Sequence, residues 1–225
     1  MFIYPKQAEF NRVVPKGKIY EHAKASKRLK QLFVDQVEEI IWKYKLSPET
    51  INLPASGSVH EIQVFEIQLR TTKFDSGLLD TIDKAIPFPL AFQLVGEAKT
   101  SFAAAYKRPS EADSSKWVTE RLFVTPFYST PFKEQPLPVA LNLAILYEHM
   151  VRAHIPLAAR SGEGLAEQVV RFNELEVKKR AKEQLESRLS QEKQFNRKVQ
   201  LNAQLRNIDN ELTALLGNHD KQTFE

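Results

Sequence analysis

No cysteine occurs anywhere in the chain. That removes disulfides, zinc–thiolate sites, iron–sulfur clusters and cysteine nucleophiles, and it suits a cytoplasmic protein. Long apolar runs are also missing: nothing approaches the roughly eighteen residues that a membrane span requires. The opening MFIYPKQAEF has no basic segment leading into an apolar core, so no signal peptide is expected. There is no Walker loop, no dinucleotide-binding glycine loop and no Gly-x-Ser-x-Gly elbow. Internal repeats and low-complexity segments are absent as well.

A strong excess of one charge is lacking too. The 225 residues carry 32 basic and 28 acidic side chains, a net of +4, too mild by itself to imply nucleic acid. The imbalance is local, because residues 1–30 hold eight Lys or Arg against two Glu. Within them Lys16, Lys18, Lys27 and Arg28 are the candidates for contact with DNA phosphates, although a solvated face is the plainer reading. The histidines His22, His60, His149, His154 and His219 have no metal-ligand spacing. His149 and His154 are five apart, not the four that puts two ligands on one helix face. No resident metal or cofactor is expected.

What is present most clearly is a C-terminal stretch from Leu165 to Leu216 with no proline or glycine, rich in Glu, Gln, Lys, Arg and Leu. By propensity it is helical, and as one helix it would span roughly 75 Å, so its apolar side must meet something. Leu201, Leu205, Ile208, Leu212 and Leu215 recur at steps of four and three, a coiled-coil seam. Upstream, Ala181, Leu185 and Leu189 follow another register. With no Gly or Pro to mark a turn, a single helix with a shifted seam is expected over a fold-back hairpin, and self-association or partner binding follows from it. Arm charges nearly cancel, which favours protein over DNA.

Upstream lies a body. Phe2-Ile3-Tyr4 reads as an edge strand. Residues 26–45 read as a helix capped by Ser26, with Leu29, Phe33, Val37, Ile40, Ile41 and Tyr44 on one face. Residues 60–70 alternate as a strand. Leu78 to Ile86 form a short helix stopped by Pro87 and Pro89, and Pro89–Arg108 a hairpin around Val95–Ala98. Residues 117–128 are a further strand and 139–153 another helix. The expected class is α+β, a mixed or antiparallel sheet with flanking helices followed by a long C-terminal coiled-coil helix. The expected boundaries are 1–160 for the body, 161–217 for the arm and 218–225 for a disordered tail.

The cluster with most chemical character is on the strand at 60–70. Metal-dependent nucleases place an acidic residue before a Glu-x-Lys or Glu-x-Gln pair on the next strand, where the acids hold Mg²⁺ and the third residue orients water or phosphate. Glu66 and Gln68 fit loosely, with Glu61, and Glu38 or Glu39 on the helix expected over 26–45, as further candidates. Glu61 and Glu66, five apart on a strand, point to opposite faces. Pairing of Glu66 with Arg70 or a nearby lysine at a sheet edge is the plain alternative. Lys107, Arg108 and Asp113 around the polar loop at 110–116 are either a binding rim or an ordinary connection.

Several stretches together, among them MFIYPKQAEFNRVVPKGKIYEHA, WKYKLSPETINLP, IDKAIPFPLAFQL, AAYKRPSEADSSKW and EKQFNRKVQLNAQL, resemble the bacterial domain-of-unknown-function 4391 family over nearly the full length. The resemblance carries over no catalytic residue. It implies a small companion of DNA helicases and methyltransferases in restriction or anti-phage loci. The expected function is therefore an accessory, non-catalytic subunit of a DNA-processing defence complex, cytoplasmic and homo-oligomeric, with a protein partner and DNA contact. A divergent nuclease and a plain nucleic-acid-binding module are the alternatives.

Overall fold

β-branched and aromatic residues crowd the span from Val37 to Tyr44, and this decides the centre of the fold. The computed structural model describes residues 2–71, 74–113, 116–129, 131 and 133–217, and it divides into two compact units, Met1–His154 and Ile155–Glu225. In the first, the short strand β1 (Phe2–Ile3) leads through a 3₁₀ turn to β2 (Glu9–Val13), α1 (Lys16–His22) and α2 (Lys27–Gln36). Then come β3 (Val37–Leu46), α3 (Pro48–Ile51), β4 (Ile62–Leu69), α4 (Gly77–Ala85), β5 (Leu90–Val95), β6 (Lys99–Pro109) and β7 (Trp117–Val124). β8 (Tyr128–Ser129), β9 (Gln135–Pro136) and α5 (Leu143–Arg152) close the unit.

The α+β class with a mixed sheet is as expected, but the helix expected over 26–45 stops halfway. Ser26 caps α2 by accepting from Leu29 N at 3.3 Å, and the chain becomes strand at Val37 without a connecting residue. The run VEEIIWKY carries high strand propensity, and its apolar spacing matched a helix only because Val37 and Ile40 continue the steps of Leu29 and Phe33. Lys43 and Lys45, which fall inside the span expected as helix, are strand residues.

The large sheet runs β2-β3-β4-β5-β6-β7, with β8 also on β6; β1 and β9 form a separate parallel pair. All neighbours in the large sheet are antiparallel except β4 and β5. That parallel pair needs a crossover, which α4 supplies. Alternation along the strands divides the side chains between two faces. One carries Ile40, Phe65, Ile67, Phe92, Leu94 and Ala103 into a core completed by Ile19, Phe33, Leu78, Leu79 and Ile82 from α1, α2 and α4. The other carries Val64, Glu66, Gln68, Ala91 and Gln93.

β6 bulges between Tyr106 and Lys107, which takes a backbone N–H out of the ladder. Tyr147 of α5 repairs it: its hydroxyl accepts from Lys107 N at 2.8 Å and donates to Ala105 O. Burial pushes the Tyr147 phenol well above its ordinary value.

The second unit holds α6 (Leu165–Gln191) and α7 (Phe195–Leu216). Lys178 meets Glu211 at 2.5 Å and Lys182 meets Asp209 at 2.7 Å, so the helices run antiparallel. The single helix expected here is a hairpin. The chain turns at Glu192–Gln194, where the Glu192 carboxylate accepts from Lys193 N at 2.8 Å and Gln194 N at 2.9 Å. A side chain thus satisfies the N–H groups of the connection itself, and the turn forms without Gly or Pro. Residues 218–225, expected as a disordered tail, and His219 lie outside the described residues.

Candidate functional site

Three strands bring a row of polar side chains onto one face of the sheet. In the β3–β4 ladder Ile41 stands opposite Glu66 and Glu39 opposite Gln68; in the β4–β5 ladder Gln93 stands beside Glu66. Residues opposite one another, or two apart on a strand, share a face. Glu39, Glu66, Gln68 and Gln93 therefore lie together. A bulge between Trp42 and Tyr44 adds Lys43 to them, and its ammonium meets Glu66 at 3.0 Å. Gln68 Nε2 donates to Glu66 at 3.2 Å. Glu66 lies on a central strand, not an edge, and its cation is Lys43. Arg70 instead meets Glu38 at 2.9 Å.

Glu61 lies just before β4 and turns to Lys45 at 3.2 Å, also accepting from Gln63 Nε2. The carboxylates named from sequence are thus held on separate cations. Of Glu38 and Glu39, offered from sequence as alternatives on a helix, Glu39 is the acid the fold sets beside the Glu66–Gln68 pair. The signal that could have separated the two is the strand propensity of the segment that carries them. Among the described residues no three His, Cys, Asp or Glu side chains gather as metal ligands.

The basic candidates separate in the same way. Lys16 Nζ donates to Phe33 O and Val37 O, tying up carbonyls at the end of α2, and burial together with Arg70 lowers its pKa. These bonds tie its ammonium into the fold. Lys18 on α1 and Lys27 and Arg28 in the first turn of α2 are exposed.

Lys107 is no loop-rim residue. Its Nζ donates to Asp83 O at 2.8 Å, Ile86 O at 2.8 Å and Phe88 O at 3.0 Å, and it pairs with Asp83 Oδ1 at 2.9 Å. The Thr119 hydroxyl donates to the other Asp83 oxygen. Burial pushes Asp83 up and Lys107 down; the pair staples the end of α4 and the approach to β5 onto β6. Arg108, by contrast, pairs at the surface with Glu120 at 2.7 Å, and Asp113 with Lys116 at 2.9 Å.

In the hairpin, Leu212 is buried, and Leu201, Leu205, Ile208 and Leu215 are half-buried while their neighbours are mostly exposed. Ala181, Leu185 and Leu189 of α6 show the same half-burial. The two registers in the sequence are the two sides of one intrachain seam. At its open end Arg171 donates to Glu163 at 2.6 and 2.7 Å, to Ala158 O at 2.7 Å and to Leu215 O at 2.8 Å. Hydrogen bonding from Arg171 holds the Glu163 carboxyl down at about 2. At the turn end Phe195 is 78% exposed and Val199 48% exposed, among the exposed cations Arg188, Lys193, Arg197 and Lys198.

No described helix is long and apolar enough to cross a membrane. The family model described as a domain of unknown function, DUF4391, matches residues 2–212. No curated protein and no solved structure matches the chain.

Proposed function

This chain belongs to the DUF4391 family, and we propose that it serves as a non-catalytic companion subunit of a bacterial DNA-processing or anti-phage complex, gripping a protein partner with the tip of the α6–α7 hairpin. The observation that carries this reading is Phe195. A phenylalanine left in water forgoes about 2 kcal/mol of transfer free energy, and Val199 extends the apolar surface one turn further. Basic residues surround them: the first turn of α7 has no acid, although the positive end of the dipole favours one there, and of the four cations Arg197 reaches Glu192 at 3.9 Å. An apolar socket with an acidic rim on the partner satisfies both features, and aromatic anchors of this kind dominate interface energies. A helicase or methyltransferase is the partner class the family resemblance implies.

The test is co-expression of the full chain with a helicase or methyltransferase of the class that the family resemblance implies, taken from the same genome. Wild type is expected to retain that partner, and Phe195→Asp with Val199→Asp to lose it at least tenfold while the chain stays folded. Retention by the double variant removes the tip from the interface. Exposed Lys18, Lys27 and Arg28 supply DNA contact in this proposal, read as a salt-dependent affinity that falls when they are neutralised.

A second reading has one observation in its favour: Glu39, placed opposite Gln68 and on the face of Glu66. Two carboxylates so arranged, with Lys43 in the part of the nuclease lysine, would take Mg²⁺ through oxygen ligands and water. Under this reading divalent-dependent cleavage of DNA appears in wild type and vanishes in Glu66→Gln; no cleavage with Mg²⁺ or Mn²⁺ removes it.

A further inference from the structure

Beside Glu66 on the same sheet face, the row of polar groups runs into a cavity of ≈ 250 Å³ that opens to solvent. Gln93 of β5 lines it. This side chain is only 5% exposed, and its buried Nε2 donates to nothing among the described residues. A buried amide N–H without an acceptor costs about 1–3 kcal/mol, so a protein that keeps one either wastes it or reserves it. Hydrophobic replacement would fit the site, since Ala91 and Phe102 on the same face are buried apolar residues.

The other linings have a consistent character. Phe2, Phe102 and Tyr128 contribute ring surface, with Phe102 and Tyr128 stacked at 6.5 Å. His154 at the end of α5 contributes a polar ring. Its Nδ1 lies 2.7 Å from Met150 O; a carbonyl only accepts, so Nδ1 carries the proton and Nε2 is left as an acceptor. Burial depresses the pKa of His154, which keeps the ring in that neutral form. Lys133 brings a cation to the lining.

We infer that this cavity binds a nucleobase, with Gln93 Nε2 donating to a ring or carbonyl acceptor on its edge, His154 Nε2 receiving an N–H, and aromatic side chains covering its faces. Glutamine amides read base edges in this way, aromatic rings stack on any base, and a lysine at the lining suits the phosphate that a nucleotide carries. The base arrives either on a free nucleotide or at the end of a single strand. The inference stands apart from partner binding at the hairpin tip.

Calorimetric titration of the full chain with the four nucleoside monophosphates, and in parallel with short single-stranded oligonucleotides, tests it. At least one base is expected to bind with a sub-millimolar Kd. Gln93→Leu, which removes the unpartnered donor while keeping bulk, is expected to remain folded and to weaken binding tenfold or more. Tyr128→Ala, at a half-exposed position outside the core, is expected to weaken it severalfold and guards against a folding defect in the first variant. Equal affinities for mononucleotide and oligonucleotide identify a free nucleotide as the ligand. A tenfold preference for the oligonucleotide that falls with salt identifies a strand. Absence of binding in both arms at millimolar concentration overturns the inference, as does an unchanged Kd in both variants.

Discussion

The two units each bury an ion pair, and they reach it by different routes. In the body Lys107 sits on β6 and Asp83 on α4, 24 residues apart, and the lysine also gathers three backbone carbonyls. Neither partner is placed until the α4 crossover and the β5–β6 antiparallel pair have both formed. In the hairpin Arg171 and Glu163 are eight residues apart, on the first turns of α6 and the loop before it. Only the bond to Leu215 O reaches across to α7. The difference teaches that the same chemistry fastens long-range topology in one unit and closes a locally encoded element in the other.

Breaking the body pair should have the largest effect. Lys107→Ala leaves Asp83 buried without its cation and strips three carbonyls of their donor. It is expected to cost about 3–5 kcal/mol, read as a lowered urea midpoint for the body. Replacing both members, Lys107→Met with Asp83→Leu, should recover part of that loss because no lone charge remains, though the carbonyls stay unserved. A double variant as unstable as the single one would show the carbonyl bonds, not the ion pair, to be the dominant interaction.

Arg171→Ala should weaken the hairpin by about 2–4 kcal/mol, seen as faster amide exchange in α7 with body amides unchanged. The pH response sharpens the point. The carboxyl of Glu163 is lowered to about 2, so its contribution is complete above the ordinary carboxylate range and is lost as pH falls through about 2. Hairpin protection should therefore decline on acidification in wild type, and Glu163→Gln should remove that part of the decline. An identical acid profile in the variant would mean the pair contributes nothing to closing the hairpin.

The smallest effect is expected at the turn. Replacing Glu192, Lys193 and Gln194 by alanine removes the carboxylate that receives two backbone N–H groups and raises helix propensity across the break. A cost of about 1 kcal/mol is expected in the hairpin form, together with a shift toward one continuous helix whose exposed seam pairs with a second copy. Molar mass in solution reports it: a dimer fraction that grows with concentration in the variant is the expected outcome, and a strict monomer would show that the seam prefers its own chain even without the turn.

Much of this was legible in the residues. The strand at 62–69, the crossover helix, the β5–β6 pair and α5 followed from alternation, proline stops and 3.6-residue spacing. The seam from Leu201 to Leu215 was legible as a pattern but not as a contact, because a heptad says that a helix has a partner and not which chain supplies it. The turn at Glu192 escaped because a glutamate side chain, and not a glycine, holds the connection. At the candidate site Glu66 and Gln68 stood out by their place on an apolar strand. Glu39 stood there only as an alternative to Glu38 on a helix, and Lys43 not at all, since period and composition allowed their segment to be helix. Gln93 gave no signal at all: a single glutamine between apolar neighbours becomes conspicuous only when its amide is found buried beside a cavity.

The sequence by itself determined the element types wherever periodicity was strong, the absence of cysteine chemistry, and the family. The tertiary structure alone decided that Val37–Leu46 is a strand between β2 and β4, that Lys43 answers Glu66, that Lys107 is a core residue and that the arm folds back on itself. The physical reason is common to all four. Each depends on a partner distant in the chain, and local propensities of a few tenths of a kcal/mol per residue yield to burial and pairing terms several times larger.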